Sequence, residues 1–366
     1  MILLWSPKSP FVRKVMILAH ELGIAEALEL RREVAVPRGL PNPAIMAVNP
    51  LGKIPALIRK EGPALIGSAE ILDYLCEITP GGRALLPASG EARVVQLRWQ
   101  ALADRVSTLP AAVRPMALAG LRKVVDFQDL AYGEAYLDRL ETAARADHGI
   151  DNAFTIAAAK YLANAMAYDD VIRVADAKTR PERLDRIRAE MGGAEVMQLT
   201  EFTHPRAEEV VSLLPRALGQ AIMDRPRLLG FIDRRVNKGR RLRTDRLLPF
   251  LQLHILASMR GWRPRSLRHA EEMAHLDRWF TKALDRAPRD LALATATLQA
   301  RRLVKGYSDT HARGLGKFDR VMEGIALVEG RDDAADWARR LTTAALQDEE
   351  GVALDGVLKT IRSFLD

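Results

Sequence analysis

Two proline-punctuated stretches, SPKSPFVRKVMIL at residues 6–18 and NPLGKIP at residues 49–55, constrain the fold of this chain more than any other feature. The first follows a short apolar run, Met1–Trp5, that reads as a buried strand. Pro7 and Pro10 force a turn there, since a prolyl ring locks φ and removes an amide donor. Val12–Leu22 then carries apolar side chains at helical spacing and closes at Gly23. After Pro55 the pattern becomes extended. Ala56–Ile58 reads as a strand, Glu61–Pro63 as a turn, and Ala64–Ile66 as the returning strand. Ser68 opens the next helix, Ala69–Cys76. The first quarter of the chain therefore reads as an α/β unit.

The layout is that of a thioredoxin-like domain, and the motifs resemble the N-terminal domain of serine-type glutathione transferases. That resemblance implies glutathione as the ligand or substrate. Ser6 corresponds to the serine that donates a hydrogen bond to the glutathione sulfur and favours its thiolate, with Ser6 as the catalytic candidate. Ile54, before Pro55 of the cis-proline loop, corresponds to the residue that pairs with the cysteinyl main chain. Ser68 corresponds to the serine that holds the γ-glutamyl carboxylate at a helix N-terminus, and Lys53 is a weaker ligand candidate. The family places an acidic residue directly before that serine; here the position is Gly67. Read without the resemblance, Ser6 and Ser9 are turn or N-cap residues, the common meaning of Ser-Pro.

The full length of 366 residues suits two or three domains with ample core. With 48% hydrophobic but only 5% aromatic residues, the rest reads as mostly helical. No apolar run approaches the roughly 20 residues that span a bilayer, and the start reads as a strand rather than a signal, so the expectation is a cytoplasmic protein without a membrane segment. Cys76 is the only cysteine, which excludes an internal disulfide, a CxxC redox pair and a cysteine-ligated iron–sulfur cluster.

Pro80-Gly81-Gly82 and Pro87–Gly90 mark a linker, and Ala92–Ser107 resembles the first helix of a transferase C-terminal domain. The transferase pattern stops at Leu109-Pro110. Beyond it, VVDFQDLAYGEAYLDRL (124–140), YDDVIRVADAKTR (168–180), RLVKGYSDTHARGLGKFDRVM (302–322) and DDAADWARRL (332–341) resemble the C-terminal domain of indolepyruvate ferredoxin oxidoreductase subunits. The expected organisation is a thioredoxin-like domain at 1–85, a linker and transferase-like helix at 86–108, and a large helical domain at 109–366. The catalytic parts of such oxidoreductases are missing, so this chain alone binds no thiamine diphosphate. Apolar spacing by itself predicts helices over 111–147, 153–175, 181–191, 206–223, 245–260, 266–285, 289–305 and 317–328, with one extended segment at Glu195–Phe202.

Within this half the sharpest cluster is KGYSDTHARG at 305–314. Asp309, His311 and Arg313 offer a carboxylate-oriented histidine beside an anion-binding guanidinium, a possible second site. The alternative is a helix corner in which Asp309 caps and His311 bonds backbone. His204, His254, His269, His275 and His311 lack metal-ligand spacing, so no metal is expected.

Charge is uneven. Arg225–Arg268 holds 13 Lys/Arg against 2 Asp/Glu, a net of +11 in a chain of +8, leaving −3 elsewhere. Such an island suits an acidic partner or a phosphate, or else consists of arginine stems covering a core. Nucleic acid is disfavoured, because Trp262 is the only clear stacking platform nearby. Two main readings follow: a glutathione-transferase-like protein of weak or absent turnover, or a non-catalytic accessory subunit of an indolepyruvate (2-oxoacid) ferredoxin oxidoreductase. A third is an inert fusion. Partner candidates are the subunits of that oxidoreductase, another acidic protein, or a second copy in a homodimer.

Overall fold

The computed structural model describes residues 1–35, 42–192, 198–306, 308–347 and 350–364. The chain divides into two compact units, Met1–Leu109 and Pro110–Asp366.

The first unit runs β1 (Ile2–Trp5), α1 (Pro10–Glu21), β2 (Glu29–Arg32), α2 (Pro43–Met46), β3 (Ala56–Ile58), β4 (Leu65–Ile66), α3 (Ser68–Ile78), α4 (Gly82–Leu85) and α5 (Gly90–Thr108). Its sheet has the order β2-β1-β3-β4. β1 lies parallel to β2 and antiparallel to β3, and β4 returns antiparallel to β3. This is the thioredoxin-like α/β arrangement expected from the sequence. Leu3 and Leu57 of the sheet pack with Val15 and Ala19 of α1 and with Ile71 and Leu75 of α3. Cys76 is buried beside Leu72 and Leu86. α1 begins after Ser9, whose hydroxyl accepts the Val12 N–H at 3.3 Å, and Pro10 occupies the first turn, where no amide is needed. β2 falls outside the expected strands. Its sequence is ELRR and all four residues are exposed, so no alternation marks it.

Among the described residues the second unit is helical apart from one two-stranded ribbon. It runs α6 (Arg114–Phe127), α7 (Leu130–Ala146), α8 (Ala153–Met166), α9 (Val171–Thr179), α10 (Pro181–Glu190), β5 (Thr200–Thr203), α11 (Ala207–Ser212), α12 (Arg216–Met223), α13 (Pro226–Val236) and β6 (Arg240–Arg243). It continues with α14 (Leu247–Ser258), α15 (Leu267–Arg286), α16 (Leu291–Gln299), α17 (Ser308–Val328), α18 (Ala334–Gln347) and α19 (Val352–Ser363). Short 3-10 turns occupy Met259–Arg265 and Ala300–Leu303. At the centre α8 is buried almost all round, through Phe154, Ala158, Ala159, Leu162 and Met166, and packs against α6, α7, α15 and α16.

Several expected helices are in fact pairs. The 111–147 segment is cut at Asp129, whose carboxylate accepts the Tyr132 N–H and starts α7. The 153–175 segment is cut at Asp170, which caps α9 through the Arg173 N–H. Pro215 divides 206–223 into α11 and α12. α13, α18 and α19 lie outside the expected helices. Of the extended segment at 195–202, β5 is its C-terminal end, paired antiparallel with β6; residues 193–197 fall outside the described residues.

One buried ion pair pins this unit together. Arg263 Nε donates to Asp170 Oδ2 at 2.7 Å, and its Nη1 donates to the Phe127 carbonyl at 2.6 Å and to Gln128 Oε1 at 2.9 Å. The guanidinium also lies 3.9 Å from the Phe127 ring centroid. The basic island is therefore not one solvated face. Arg263 is inside, Arg268 pairs with Glu272, Arg243 with Asp245, and Arg241 and Arg235 lie over Phe202 and Phe231. Among the described residues no helix is long and apolar enough to cross a membrane.

Candidate functional site

In the first unit the strand registers gather the residues singled out by sequence. β1 and β3 pair Leu3 with Leu57 and Leu4 with Ala56, so the end of β1 that leads to Ser6 lies beside the start of β3 that follows Ile54. β3 and β4 pair Ala56 with Ile66, and the Gly67 N–H carries the ladder onward to the Pro55 carbonyl at 3.3 Å. Ser6 follows β1, Ile54 precedes β3 and Ser68 follows β4, so the three stand in a row of strand ends at one end of the sheet.

Each position is held locally. Ser6 is buried, its Oγ accepts the Lys8 N–H at 3.4 Å, and its carbonyl accepts the Ser9 N–H. The NPLGKIP loop is organised by Asn49, itself buried. Its Nδ2 donates to the Lys53 carbonyl at 2.7 Å while its Oδ1 accepts the Leu51 N–H at 3.0 Å. The Ile54–Pro55 bond is cis. The Lys53 side chain is exposed. Ser68 is buried at the first position of α3, at the positive end of the helix.

Gly67 has a physical reason. Its φ of 103° is a left-handed conformation that L side chains rarely adopt, and a Cβ built there would collide with the Glu70 carboxylate. Glu70 therefore curls over the start of α3, and an acid sits beside the position where the sequence departs from the transferase pattern. Sequence reasoning overlooked both Asn49 and Glu70. The signal for Glu70 was its place in a helix first turn, where the positive end of the dipole favours an acid.

In the second unit His311 has a carboxylate and guanidinium neighbours that the sequence did not single out. Its Nε2 lies 3.2 Å from Glu272 Oε1, and Glu272 is also met by Arg268 at 2.8 Å and Arg301 at 3.4 Å. Burial, then the charges of Arg268 and Arg301, pushes the His311 pKa down to about 4. The ring is neutral at pH 7, with Nε2 facing the Glu272 carboxylate. Arg313 does not join it: His311 borders cavities lined by Asp169, whereas Arg313 lines another with Thr310 and Lys317. The reason is that α17 starts at Ser308, so residues two apart point about 200° apart around the helix. The Asp309 side chain lies outside the described residues. Glu272 and its arginines were missed, although Arg268 and Glu272 have the i,i+4 spacing of a helical ion pair. Among the described residues there is no group of three or more potential metal ligands.

Residues 113–324 match a family described as "Family of unknown function (DUF6537)". The chain belongs to that family. Residues 8–78 match "Glutathione S-transferase, N-terminal domain", so the first unit carries a glutathione-transferase-like domain. The chain is 36% identical over 104 residues to "Uncharacterized GST-like protein YibF" of Escherichia coli K12, covering 28% of this chain and 48% of that protein. It thus spans about half the length of this curated relative. A solved glutathione transferase family member from Pseudomonas fluorescens Pf-5, with bound glutathione, is 30% identical over 44% of this chain and 80% of the other, with a TM-score of 0.29. A second structure of a family member from that organism, with bound S-(propanoic acid)-glutathione, is 29% identical over the same shares, with a TM-score of 0.26. The resemblance of the helical half to indolepyruvate ferredoxin oxidoreductase subunits gains no support from these comparisons.

Proposed function

We propose that the first unit binds glutathione along the Ser6–Ile54–Ser68 row, with weak or absent turnover. The row carries the reading. Its two ends match the need for a hydroxyl beside a thiol and a serine at a helix N-terminus beside a carboxylate, with a main-chain edge between them. Ser6 Oγ spends an acceptor site on Lys8, which leaves its hydroxyl hydrogen for a thiolate. Ser68 and the first amides of α3 take the γ-glutamyl carboxylate. Glu70 meets the ligand's ammonium group in place of an acid at position 67. The match over residues 8–78 supports the same ligand. Turnover is weak in this reading because the sequence after Leu109 belongs to another family rather than to the helices that wall a transferase's electrophile site.

The test is titration of enzyme-bound glutathione by thiolate absorbance. Ser6→Ala should raise the bound thiol pKa by about one unit, the loss of one hydrogen bond to the charged form. An unchanged curve removes Ser6 from the site, and no calorimetric binding at about 10 mM glutathione removes the reading altogether.

A further inference from the structure

The second unit contains a cavity of about 600 Å³ whose wall, among the described residues, carries Lys123, Lys160, Arg173, Arg301, Arg302 and Lys305 against a single acid, Asp169. Six cations to one acid is a strong imbalance for a concave surface, where field lines from like charges add. Arg173 is answered by Asp126 and Asp176, and Lys123 donates to Asn164 Oδ1 at 2.7 Å. Among the described residues no carboxylate pairs with Lys160, Arg302 or Lys305.

Arg301 makes this more than a basic surface. It is 97% buried, yet only its Nη2 has a partner, Glu272 at 3.4 Å; Nε and Nη1 are buried with no acceptor. Buried donors in native proteins are nearly always paired, and a guanidinium has no way to relieve the deficit by losing its proton. The Arg301 charge adds to the field inside the cavity, and a ligand rich in negative charge would answer it together with Lys160, Arg302 and Lys305. The geometry points to a binding site for a phosphorylated small molecule. A lone carboxylate would use one arginine and leave the surplus standing, whereas a phosphate or diphosphate group offers several charged oxygens to Arg301, Arg302 and Lys305 together. The volume lies in the range of organic ligand pockets and exceeds what inorganic phosphate fills, and the half-apolar rings of Tyr161 and Tyr168 on the same wall would flank the organic part. His311, kept neutral, borders the cavity without adding to its charge.

Calorimetry on the full chain with pyrophosphate as probe, and succinate as the dicarboxylate control, tests this. Pyrophosphate should bind with roughly 1:1 stoichiometry at millimolar or lower concentration and weaken as salt rises, with succinate at least about tenfold weaker. The exposed pair Arg302→Gln with Lys305→Gln should weaken pyrophosphate about tenfold or more at unchanged melting temperature. Arg301→Met should abolish binding; if that variant does not fold, the exposed double variant decides alone. Absence of wild-type binding at about 10 mM, equal binding of succinate, or full binding by the double variant overturns the assignment. Ser68→Ala, in the other unit, should leave pyrophosphate binding untouched; if it is lost there, the site is not this cavity.

Discussion

Replacing Arg263 by Met measures how much the helical unit relies on its buried ion pair. Methionine keeps much of the aliphatic volume and removes the guanidinium. Asp170 then loses contacts at 2.7 and 3.3 Å and keeps the Arg173 N–H at 2.6 Å, while the Phe127 carbonyl and Gln128 Oε1 lose a common donor. Both charged side chains are at most 4% exposed, so water does not replace what is lost. Breaking such a pair from one side costs about 3–5 kcal/mol, chiefly the penalty of an uncompensated buried charge. At about 2–4 °C per kcal/mol for a domain of this size, the melting temperature should fall by about 6–20 °C in scanning calorimetry. Adding Asp170→Asn removes the stranded charge while retaining a good N-cap, and should recover part of the loss. A fall of under about 1 kcal/mol in the single variant, or a double variant as unstable as the sum of the two changes, refutes this account.

Ser68→Ala should weaken glutathione by about tenfold, the value of a charge-assisted hydrogen bond at a helix terminus, and unchanged calorimetric affinity would remove Ser68 from the carboxylate end. Acid should destabilise the second unit through His275 and His311, both pushed down to about 4, by burial first and then by Arg301 and Arg278 for His275, Arg268 and Arg301 for His311. The unfolded chain takes up these protons near pH 6.5, so between about 6.5 and 4 it binds more protons than the folded chain and stability is lost as pH falls. Urea midpoints across that window should drop less steeply for His275→Leu than for wild type; parallel slopes would contradict the burial argument.

The first unit was legible because its residues announce their backbone. Pro10 and Pro55, Gly23 and the short apolar runs each fix a local conformation, and the row of Ser6, Ile54 and Ser68 follows from where those strands end. β2 escaped because an exposed edge strand of sequence ELRR has no buried face to print a period on the sequence. In the helical unit, apolar spacing runs on through Asp129 and Asp170, yet a short acid ahead of an apolar run is an N-cap signal and both serve as one. Arg263 and Arg301 were illegible for a different reason. Their role depends on carboxylates 93 and 29 residues away, a separation that no local pattern encodes. His311 was found, but Glu272 and Arg268 beside it come from another helix, so local spacing could not name them.

Cys76, packed beside Leu72 and Leu86, has a practical consequence for any thiol chemistry attempted with this protein. It is the only sulfhydryl in the 366 residues, it is 1% exposed, and burial raises its pKa, so little of it is thiolate at neutral pH. Ultraviolet thiolate signals and alkylation rates recorded with added glutathione therefore report the tripeptide's sulfur against a silent protein background.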